Sequence, residues 1–348
     1  MIFDPDDIRY EIRFLFIQVS IVQISIRKLL DGFFLLRIPL LAPVWTILIL
    51  GWITGTENIH PGGNWFANVD NIHLNSLWIV LIGFSLIVAS IYVVNQIVDI
   101  EGDRINHKLF ILPNGFISIK TAWILAAFCT VLGMIIGLLF DWVLTFLFTL
   151  GLITGILYNL PPAQLKNHAW GGVLSNSLGH GMITFLVGWY STKSDLPISV
   201  SLIRDGFISS IAPALANGAV FLATTIPDAD GDKLTGKCTF SVKYGEKVTA
   251  IVSAILCFGA FFFSFLMENH FWVMAVPAGI SLLFFLIFAF STKREAAFKA
   301  FKWPVFLLSA AVALYVPEYG ILILLTFFCS RLYYRWRFGI EYPTFKAK

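Results

Sequence analysis

Residues 76–106 read SLWIVLIGFSLIVASIYVVNQIVDIEGDRIN, an uncharged apolar run that ends abruptly in acidic residues. An α-helix rises ~1.5 Å per residue, so ~20 apolar residues cross the ~30 Å hydrocarbon core of a bilayer. Carboxylates at the end of a membrane span are costly unless they are paired, and they commonly mark functional sites. The stretch therefore predicts a transmembrane helix with a candidate site at its end.

The composition of the whole chain extends this pattern. Of 348 residues, 58% are hydrophobic and only 13% are charged, whereas soluble domains carry about 25% charged residues. Further apolar runs predict spans near residues 33–54, 76–98, 121–140, 143–160, 172–190, 207–226, 248–267, 271–290 and 304–333. The sequence thus predicts an all-α, polytopic membrane protein of about nine transmembrane helices, with membrane lipid as one partner. The small net charge of +3 indicates no nucleic-acid partner.

The N-terminal segment differs from the spans that follow. The start, MIFDPDD, lacks the basic region of a removable signal peptide, so none is expected. Residues 12–30 alternate apolar stretches with basic and amide side chains, which predicts an amphipathic interfacial helix. We therefore divide the chain into an N-terminal segment (1–32), a transmembrane domain (33–333) and a basic C-terminal tail (334–348).

Lys and Arg are concentrated in alternate loops. They are absent from residues 55–75 and 268–270, but they are frequent after the second, sixth and eighth predicted spans. Short loops rich in Lys and Arg remain in the cytoplasm, so the acidic end of the second span is predicted to be cytoplasmic. The basic tail does not fit nine spans, and a hairpin at Pro317 would return it to the cytoplasm. Nine is preferred because two halves of ~13 residues are short for spans.

The acidic pattern occurs twice, with Gly and a basic residue at matching positions. The copies are Asp99-Ile-Glu-Gly-Asp103-Arg-Ile and Asp228-Ala-Asp-Gly-Asp232-Lys-Leu. Four predicted spans separate them, so both copies are expected on one side of the membrane. Four residues advance ~400° on a helix. Asn95, Asp99 and Asp103 are therefore expected to share a face, as are Asp228 and Asp232, whereas Asp230 points elsewhere.

Carboxylates with an amide and nearby bases suit the binding of a diphosphate. Mg²⁺ prefers oxygen ligands and typically combines one or two carboxylates with substrate phosphates. Two opposed clusters would hold Mg²⁺ ions that neutralise the charge of a leaving diphosphate. Among nearby bases, Lys108 and Lys166 are the preferred phosphate ligands. Arg104 and Lys237 are interpreted as ordinary loop charge.

Three motifs, in this order, resemble those of the UbiA-type superfamily of intramembrane prenyltransferases. They are the run from Asn95 to Asn106, the segment Tyr158-Asn-Leu-Pro-Pro-Ala-Gln-Leu-Lys166 continuing to Trp170-Gly171, and Asp228 to Asp232 followed by Phe240-Ser-Val-Lys-Tyr-Gly245. The resemblance implies an all-helical fold around a central cavity, two Mg²⁺ ions and a prenyl diphosphate donor. It also implies an acceptor that is usually aromatic, such as a quinone, tocopherol or chlorophyll precursor.

The resemblance assigns roles by position. The metal ligands, with the four aspartates as catalytic residues, would be Asn95, Asp99 and Asp103 for one ion and Asp228 and Asp232 for the other. Tyr158 and Lys166 would lie near the diphosphate. The sequence departs from the family at Phe110, where many members have Arg, so a phosphate contact made by that Arg elsewhere is in question here.

The acceptor class stays open at this point. Gln96 is associated with homogentisate-type enzymes, whereas the Pro161-Pro162 stretch is closer to chlorophyll-synthase types. In the fifth span, Asn176 and His180 either line a substrate cavity or serve helix packing. The alternatives are prenyl transfer to a non-aromatic lipid or carotenoid, a transporter, and a non-catalytic scaffold. A transporter is disfavoured because its binding groups usually lie near the bilayer midplane.

Overall fold

The computed structural model describes residues 26–57, 59, 61, 71–105 and 111–343. Helices dominate this part of the chain, which contains no strand beyond an isolated bridge between His168 and Cys238. The helices are α1 (26–35), α2 (Ile38–Gly55), α3 (Asn71–Val98), α4 (Ile100–Ile105), α5 (Ile119–Phe140), α6 (Trp142–Asn159), α7 (Ala169–Asn176), α8 (Thr184–Ser191), α9 (Val200–Leu234), α10 (Phe240–Ser264), α11 (Trp272–Ser291), α12 (Arg294–Tyr315) and α13 (Pro317–Phe338). A 3₁₀ turn (Leu165–Asn167) precedes α7, and a π-helical segment (Ser177–Ile183) joins α7 to α8.

Eight helices among the described residues are long and apolar enough to cross a membrane. They are α2, residues Ser76–Val98 of α3, α5, α6, α9, α10, α11 and α12. Their contacts form a bundle in which α3 packs on α5 and α6, α2 packs on α8, and α10 lies between α9 and α11. The predicted all-α, polytopic fold is confirmed. Of the predicted amphipathic helix at 12–30, only residues 26–30, within α1, belong to the described chain.

A single aspartate makes the tight turn between α5 and α6. The Asp141 carboxylate accepts hydrogen bonds from the backbone N–H groups of Val143 and Leu144 at 2.6 and 3.3 Å. Its own N–H donates to the Gly137 carbonyl of α5 at 2.9 Å. One residue therefore caps both helices, which allows two spans to follow each other without a loop.

The fifth predicted span, residues 172–190, is interrupted. The π-helical segment lies between α7 and α8, and there the Thr184 hydroxyl donates to the Gly179 carbonyl, five residues earlier, at 2.9 Å. Turns of this kind within helices are frequent at functional sites. The segment places His180 beside α3, because its ring centroid lies 6.1 Å from that of Tyr92.

The last predicted span, residues 304–333, consists of two helices. Val316 ends α12 with φ −126° and ψ 82°, and α13 starts at the following proline. Near this break, the rings of Tyr315 and His270 lie 5.4 Å apart, so the α12–α13 turn is beside the α10–α11 turn. The single-span interpretation of this stretch is wrong. Each helix has 22 residues, ~33 Å at 1.5 Å per residue, but only α12 is among the eight helices that are both long and apolar enough to cross.

Helix α13 runs antiparallel to α2 and ends beside α1. The Tyr319 hydroxyl, near its start, donates to the Ala42 carbonyl in α2 at 3.3 Å. Near its end, the Tyr333 hydroxyl donates to Asp31 of α1 at 2.6 Å, and Arg337 donates to both carboxylate oxygens of Asp31 at 3.0 and 3.1 Å. The hairpin alternative therefore describes this stretch, and the chain returns to the side from which α2 begins.

Helices α2 and α8 approach each other through two glycines. A Cβ atom on Gly51 would lie 2.1 Å from the Phe185 carbonyl oxygen, and one on Gly188 would lie 1.8 Å from that of Leu48. Both obstructing atoms belong to the backbone, so neither can be moved by a side-chain rotation. Only the absence of side chains at these two positions permits the contact.

We expect Gly188→Ala to destabilise the protein by at least ~2 kcal/mol, because α2 and α8 must separate to admit the methyl group. The measurement is the apparent melting temperature of the detergent-solubilised protein. Gly32→Ala is the matched control, since its new Cβ would meet no atom closer than Ile117 Cδ1 at 4.0 Å. Equal melting temperatures for the two variants would contradict the close approach.

Candidate active site

The first aspartate motif continues the helical spacing beyond the end of α3. The Asp99 N–H donates to the Asn95 carbonyl at 3.0 Å, and the Asp103 N–H donates to the Asp99 carbonyl at 2.8 Å. The Asn95 side-chain amide donates to Asp99 Oδ2 at 3.0 Å. The break at Asp99 between α3 and α4 therefore leaves the predicted shared face of the three residues intact.

Two lysines flank the Asp99 carboxylate. Lys166 Nζ donates to Asp99 Oδ2 at 2.7 Å, and Lys237 Nζ lies 3.8 Å from Oδ1. The Lys166 side chain is only 7% exposed; burial lowers its pKa, and the hydrogen bond to Asp99 opposes that shift. The interpretation of Lys237 as ordinary loop charge is wrong. Arg104 does fit that interpretation, since it pairs with the exposed Glu101 at 2.9 Å.

The second aspartate motif occupies the last turns of α9. Asp228 and Asp232 lie there, while Asp230 is turned away from them and pairs with Arg294 at the start of α12. The chain then turns back, because the Lys237 N–H donates to the Asp232 carbonyl at 2.9 Å. That turn brings the Lys237 ammonium to Asp99, so a single lysine links the two motifs.

Tyr158 lies near both motifs. Its hydroxyl is hydrogen-bonded to the Asn176 side chain, and the charges of both Asp99 and Asp232 act on it. Tyr158 is in the last turn of α6, and the 3₁₀ segment that carries Lys166 begins after a short connection, at Leu165. The structure thus brings together residues from three separated motifs at one end of the bundle, which we call the aspartate end.

Sequence reasoning missed two residues at this end. Asn159, buried at the end of α6, accepts a hydrogen bond from the Asn95 amide at 2.7 Å. Arg37 Nη1 lies 3.5 Å from Asn95 Oδ1, and the Arg37 backbone has the left-handed angles φ 55° and ψ 46°. Asn159 directly follows Tyr158 in the second of the three motifs, and this position is the sequence feature that could have identified it. Nothing in the sequence indicates that Arg37 reaches Asn95, because its direction follows from the bend between α1 and α2.

Lys108 and Phe110 fall in residues 106–110, outside the described part of the chain. The proposed phosphate contact of Lys108 therefore stays a prediction, and so does the consequence of having Phe110 in place of the family arginine.

A partly open pocket, here called the cavity, begins at Tyr158 and extends into the bundle between α3, α6 and the π-helical segment. Its described lining is Phe84, Val88, Ile91, Gly151, Thr154, Gly155, Tyr158, Ser175, Asn176, Gly179, His180 and Thr184. Asn176 and His180 are thus both cavity-lining residues. None of the lining residues is Lys or Arg. The cavity is therefore an uncharged space that adjoins a strongly charged one.

The donor atoms at the aspartate end suit a hard divalent cation. They are carboxylate and amide oxygens, the ligands that Mg²⁺ prefers. Within the described residues, no three His, Cys, Asp or Glu side chains form a ready cation-binding group. A Mg²⁺ ion would therefore be held by one or two carboxylates here and completed by phosphate oxygens and water, which is its usual coordination in phosphate-binding sites.

The fold and the site together define a polytopic membrane protein with paired aspartate motifs above an internal cavity. Residues 61–311 match the model of the UbiA prenyltransferase family, so the chain belongs to that family. The fold is similar to that of a UbiA homologue from Archaeoglobus fulgidus bound to GPP and Mg²⁺. The TM-score is 0.62, with 18% identity over 84% of this chain and 99% of that one.

Curated relatives differ in the acceptor that their names state. The chain is 28% identical over 196 residues to a probable homogentisate phytyltransferase 2 of Oryza sativa subsp. japonica, covering 54% of this chain and 52% of that protein. It is 29% identical over 220 residues to a digeranylgeranylglyceryl phosphate synthase of Sulfolobus acidocaldarius, covering 62% and 76%. The chain spans about half the length of several curated relatives that it matches.

Proposed function

We propose that this chain is a Mg²⁺-dependent prenyltransferase that moves a prenyl group from a prenyl diphosphate to an aromatic acceptor within the membrane. The observation that carries the proposal is the meeting of the two motifs at Lys237, whose ammonium lies 3.8 Å from Asp99 Oδ1 and whose N–H donates to the Asp232 carbonyl at 2.9 Å, close to a cavity whose described lining carries no charged side chain. A diphosphate ester of an apolar chain has this same division between a highly charged end and an apolar remainder. The ligands of the homologue from A. fulgidus, GPP and Mg²⁺, support the proposal.

The aspartate end would bind the diphosphate. Asn95, Asp99 and Asp103 on one side and Asp228 and Asp232 on the other would hold Mg²⁺, which when bound neutralises the leaving diphosphate. Two ions, one for each motif, are part of the proposal. Lys166 and Lys237, already beside Asp99, would contact the remaining phosphate oxygens, as would Lys108 and Tyr158. Lysine ammonium groups that are already in position stabilise the negative charge that develops on the diphosphate as the carbon–oxygen bond breaks.

Transfer then requires an acceptor next to the reactive carbon. Breaking the bond between the first prenyl carbon and the diphosphate leaves an allylic cation and free diphosphate. A carbon or oxygen of the acceptor attacks the cation, and the acceptor loses a proton to the diphosphate or to water. The cavity below Tyr158 keeps bulk water away from this cation. Its lining has no Lys or Arg, which disfavours a phosphorylated acceptor such as the glyceryl phosphate named for the S. acidocaldarius relative, because an unpaired buried anion is costly.

The proposal also sets the orientation in the membrane. The basic residues Lys166, Lys233 and Lys237 lie at the aspartate end, near the loops that carry most of the other Lys and Arg. Positively charged short loops remain cytoplasmic, so the aspartate end would face the cytoplasm. Lipid would surround the exposed apolar faces of the helices.

Diphosphate release from purified protein tests the function. Prenyl diphosphates of increasing length are supplied with Mg²⁺ or with EDTA, together with a phenolic acceptor or with a glycerol-phosphate lipid. We expect release that requires Mg²⁺ and the phenolic acceptor, with a prenylated phenol detected by mass spectrometry. Release only with the lipid would support the non-aromatic alternative. Unaltered donor in every combination would contradict prenyl transfer.

A further inference from the structure

A buried ion pair joins α1 to the end of α13. The Asp31 side chain is only 2% exposed, and its carboxylate accepts hydrogen bonds from the Tyr333 hydroxyl and from two nitrogen atoms of Arg337. We call these three residues the clasp. A buried ion pair adds little stability compared with apolar side chains of the same size, so its presence here favours a role in setting geometry.

Aromatic rings hold the clasp in one orientation. The guanidinium carbon of Arg337 lies 4.1 Å from the centre of the Phe116 ring. The Tyr333 ring is stacked on Phe34 of α1, with the ring centroids 3.8 Å apart. A guanidinium that donates two hydrogen bonds to one carboxylate also fixes the relative direction of the two side chains. The clasp therefore sets how α1 lies against α13.

The bend that follows α1 contacts the first aspartate motif. One turn beyond the clasp, the Leu35 carbonyl accepts a hydrogen bond from the buried Gln96 amide at 2.8 Å. Arg37 Nη1 lies 3.5 Å from Asn95 Oδ1, and the Asn95 amide donates to Asp99 at 3.0 Å. The bend thus reaches two consecutive residues of the motif, one of which is a proposed metal ligand.

Apolar packing connects the clasp to the same motif. A buried cluster surrounds it and contains Phe34, Leu35, Val93, Ile111, Leu112, Ile117, Ala122, Ala126, Tyr333 and Tyr334. Ile97 and Ile100, on either side of Asp99 in the chain, pack against this cluster. Among the described residues, the cluster includes none from α9, which carries the second motif. A change in the clasp is therefore expected to affect the first motif and to leave the second unchanged.

We propose that Asp31 and Arg337 are positioning residues for Mg²⁺ binding at the first aspartate motif. The clasp fixes the α1–α2 bend, and the bend orients Asn95. The inference rests on the proposed metal role of this motif and adds two residues that bind neither metal nor donor. Arg337 lies beyond residue 311, where the match to the family model ends, so α13 becomes part of the framework of the active site.

The Mg²⁺ requirement for donor binding tests the positioning role. The probe is a non-reactive thiolo analogue of a prenyl diphosphate, bound to the purified full-length chain at increasing Mg²⁺ concentrations. We expect Arg337→Met to need ~tenfold more Mg²⁺ for half-maximal binding, as is usual when a partner that orients a metal ligand is lost. At saturating Mg²⁺ its affinity for the analogue should return to near the wild-type value.

Two further variants separate positioning from general destabilisation. Arg337→Met leaves the Asp31 charge buried without its partner, which is costly. Arg337→Lys keeps the charge but loses the two-bond geometry, so it should fold and show an intermediate Mg²⁺ requirement. Tyr319→Phe is the control, because it weakens the contact of α13 with Ala42 at the other end of the helix. Its Mg²⁺ requirement should equal that of wild type.

Hydrogen exchange measured without donor tests the same proposal independently of prenyl transfer. We expect peptides covering residues 95–105 to exchange faster in Arg337→Lys than in Tyr319→Phe, with residues 228–234 unchanged. Equal exchange of residues 95–105 in the two variants would overturn the positioning role, as would a wild-type Mg²⁺ requirement in Arg337→Lys or a raised one in Tyr319→Phe. If wild-type protein binds no analogue, the proposed function fails, and exchange still decides whether the clasp positions the motif.

Discussion

Asp99→Asn is expected to lower the rate of Mg²⁺-dependent diphosphate release by at least ~10³-fold, the largest effect of any single substitution in the chain. The change keeps the shape of the side chain but removes the charge that holds Lys166 at 2.7 Å and attracts Lys237 at 3.8 Å. It also removes the central metal ligand of the first motif. The measurement is the initial rate at saturating donor, with the apparent melting temperature recorded alongside.

Asp230→Asn is the matched control for that experiment. Asp230 lies between Asp228 and Asp232 in sequence, but its exposed side chain pairs with Arg294 on α12. An exposed ion pair contributes little, so we expect activity within ~threefold of wild type. Normal turnover by Asp99→Asn, or an equal loss in both variants, would contradict the assigned roles.

The second large effect is expected for Lys166→Met, which should lower kcat/KM for the donor by ~10²-fold or more. Methionine is similar in length and suits a buried position, so packing is largely kept while the ammonium is lost. We expect the KM for donor to rise, because Lys166 would bind phosphate oxygens. Steady-state kinetics with donor varied at fixed acceptor and Mg²⁺ measures both changes.

Lys243→Met provides the comparison. Lys243 is exposed near the start of α10, where its ammonium lies 5.4 Å from the centre of the Tyr244 ring. We expect its kinetics to differ from wild type by less than ~twofold, since no hydrogen bond or ion pair among the described residues joins it to the aspartate end. If Lys166→Met behaved in the same way, Lys166 would be a structural lysine and the diphosphate would be bound by other residues.

Much of the architecture could be predicted because it depends on local periodicity. Membrane spans require long apolar helices, and residues four apart share a helix face whatever the tertiary structure. These two rules place Asn95, Asp99 and Asp103 together, and they turn Asp230 away from its neighbours in the second motif. Both results are found in the structure.

The sequence does not predict which side chains come close together when that closeness depends on tertiary packing. The sequence pattern indicates only loop charge at Lys237, because the approach of Lys237 to Asp99 depends on the turn that closes after Leu234. Arg37 reaches Asn95 only because its own backbone is left-handed, a conformation that sequence rarely indicates for a non-glycine residue.

The last predicted span fails for a different reason. Hydropathy gives an apolar run at 304–333, which Pro317 divides into halves that are short for membrane spans. Helix α12 in fact begins at Arg294 and α13 ends at Phe338, with polar and aromatic residues at both outer ends. Basic and aromatic side chains are common where helices leave the hydrocarbon, so hydropathy alone underestimates the length of such helices.

The central claim is that both aspartate motifs bind one donor through Mg²⁺. It is tested most directly by the affinity for a non-reactive thiolo analogue of a prenyl diphosphate, measured with Mg²⁺ and with EDTA. The account predicts binding at least ~30-fold tighter with Mg²⁺, a coupling of ~2 kcal/mol. Asp99→Asn and Asp232→Asn should each lose this gain, and Asp230→Asn should keep it. An affinity that does not depend on Mg²⁺, or a gain that survives loss of either motif, would contradict the account.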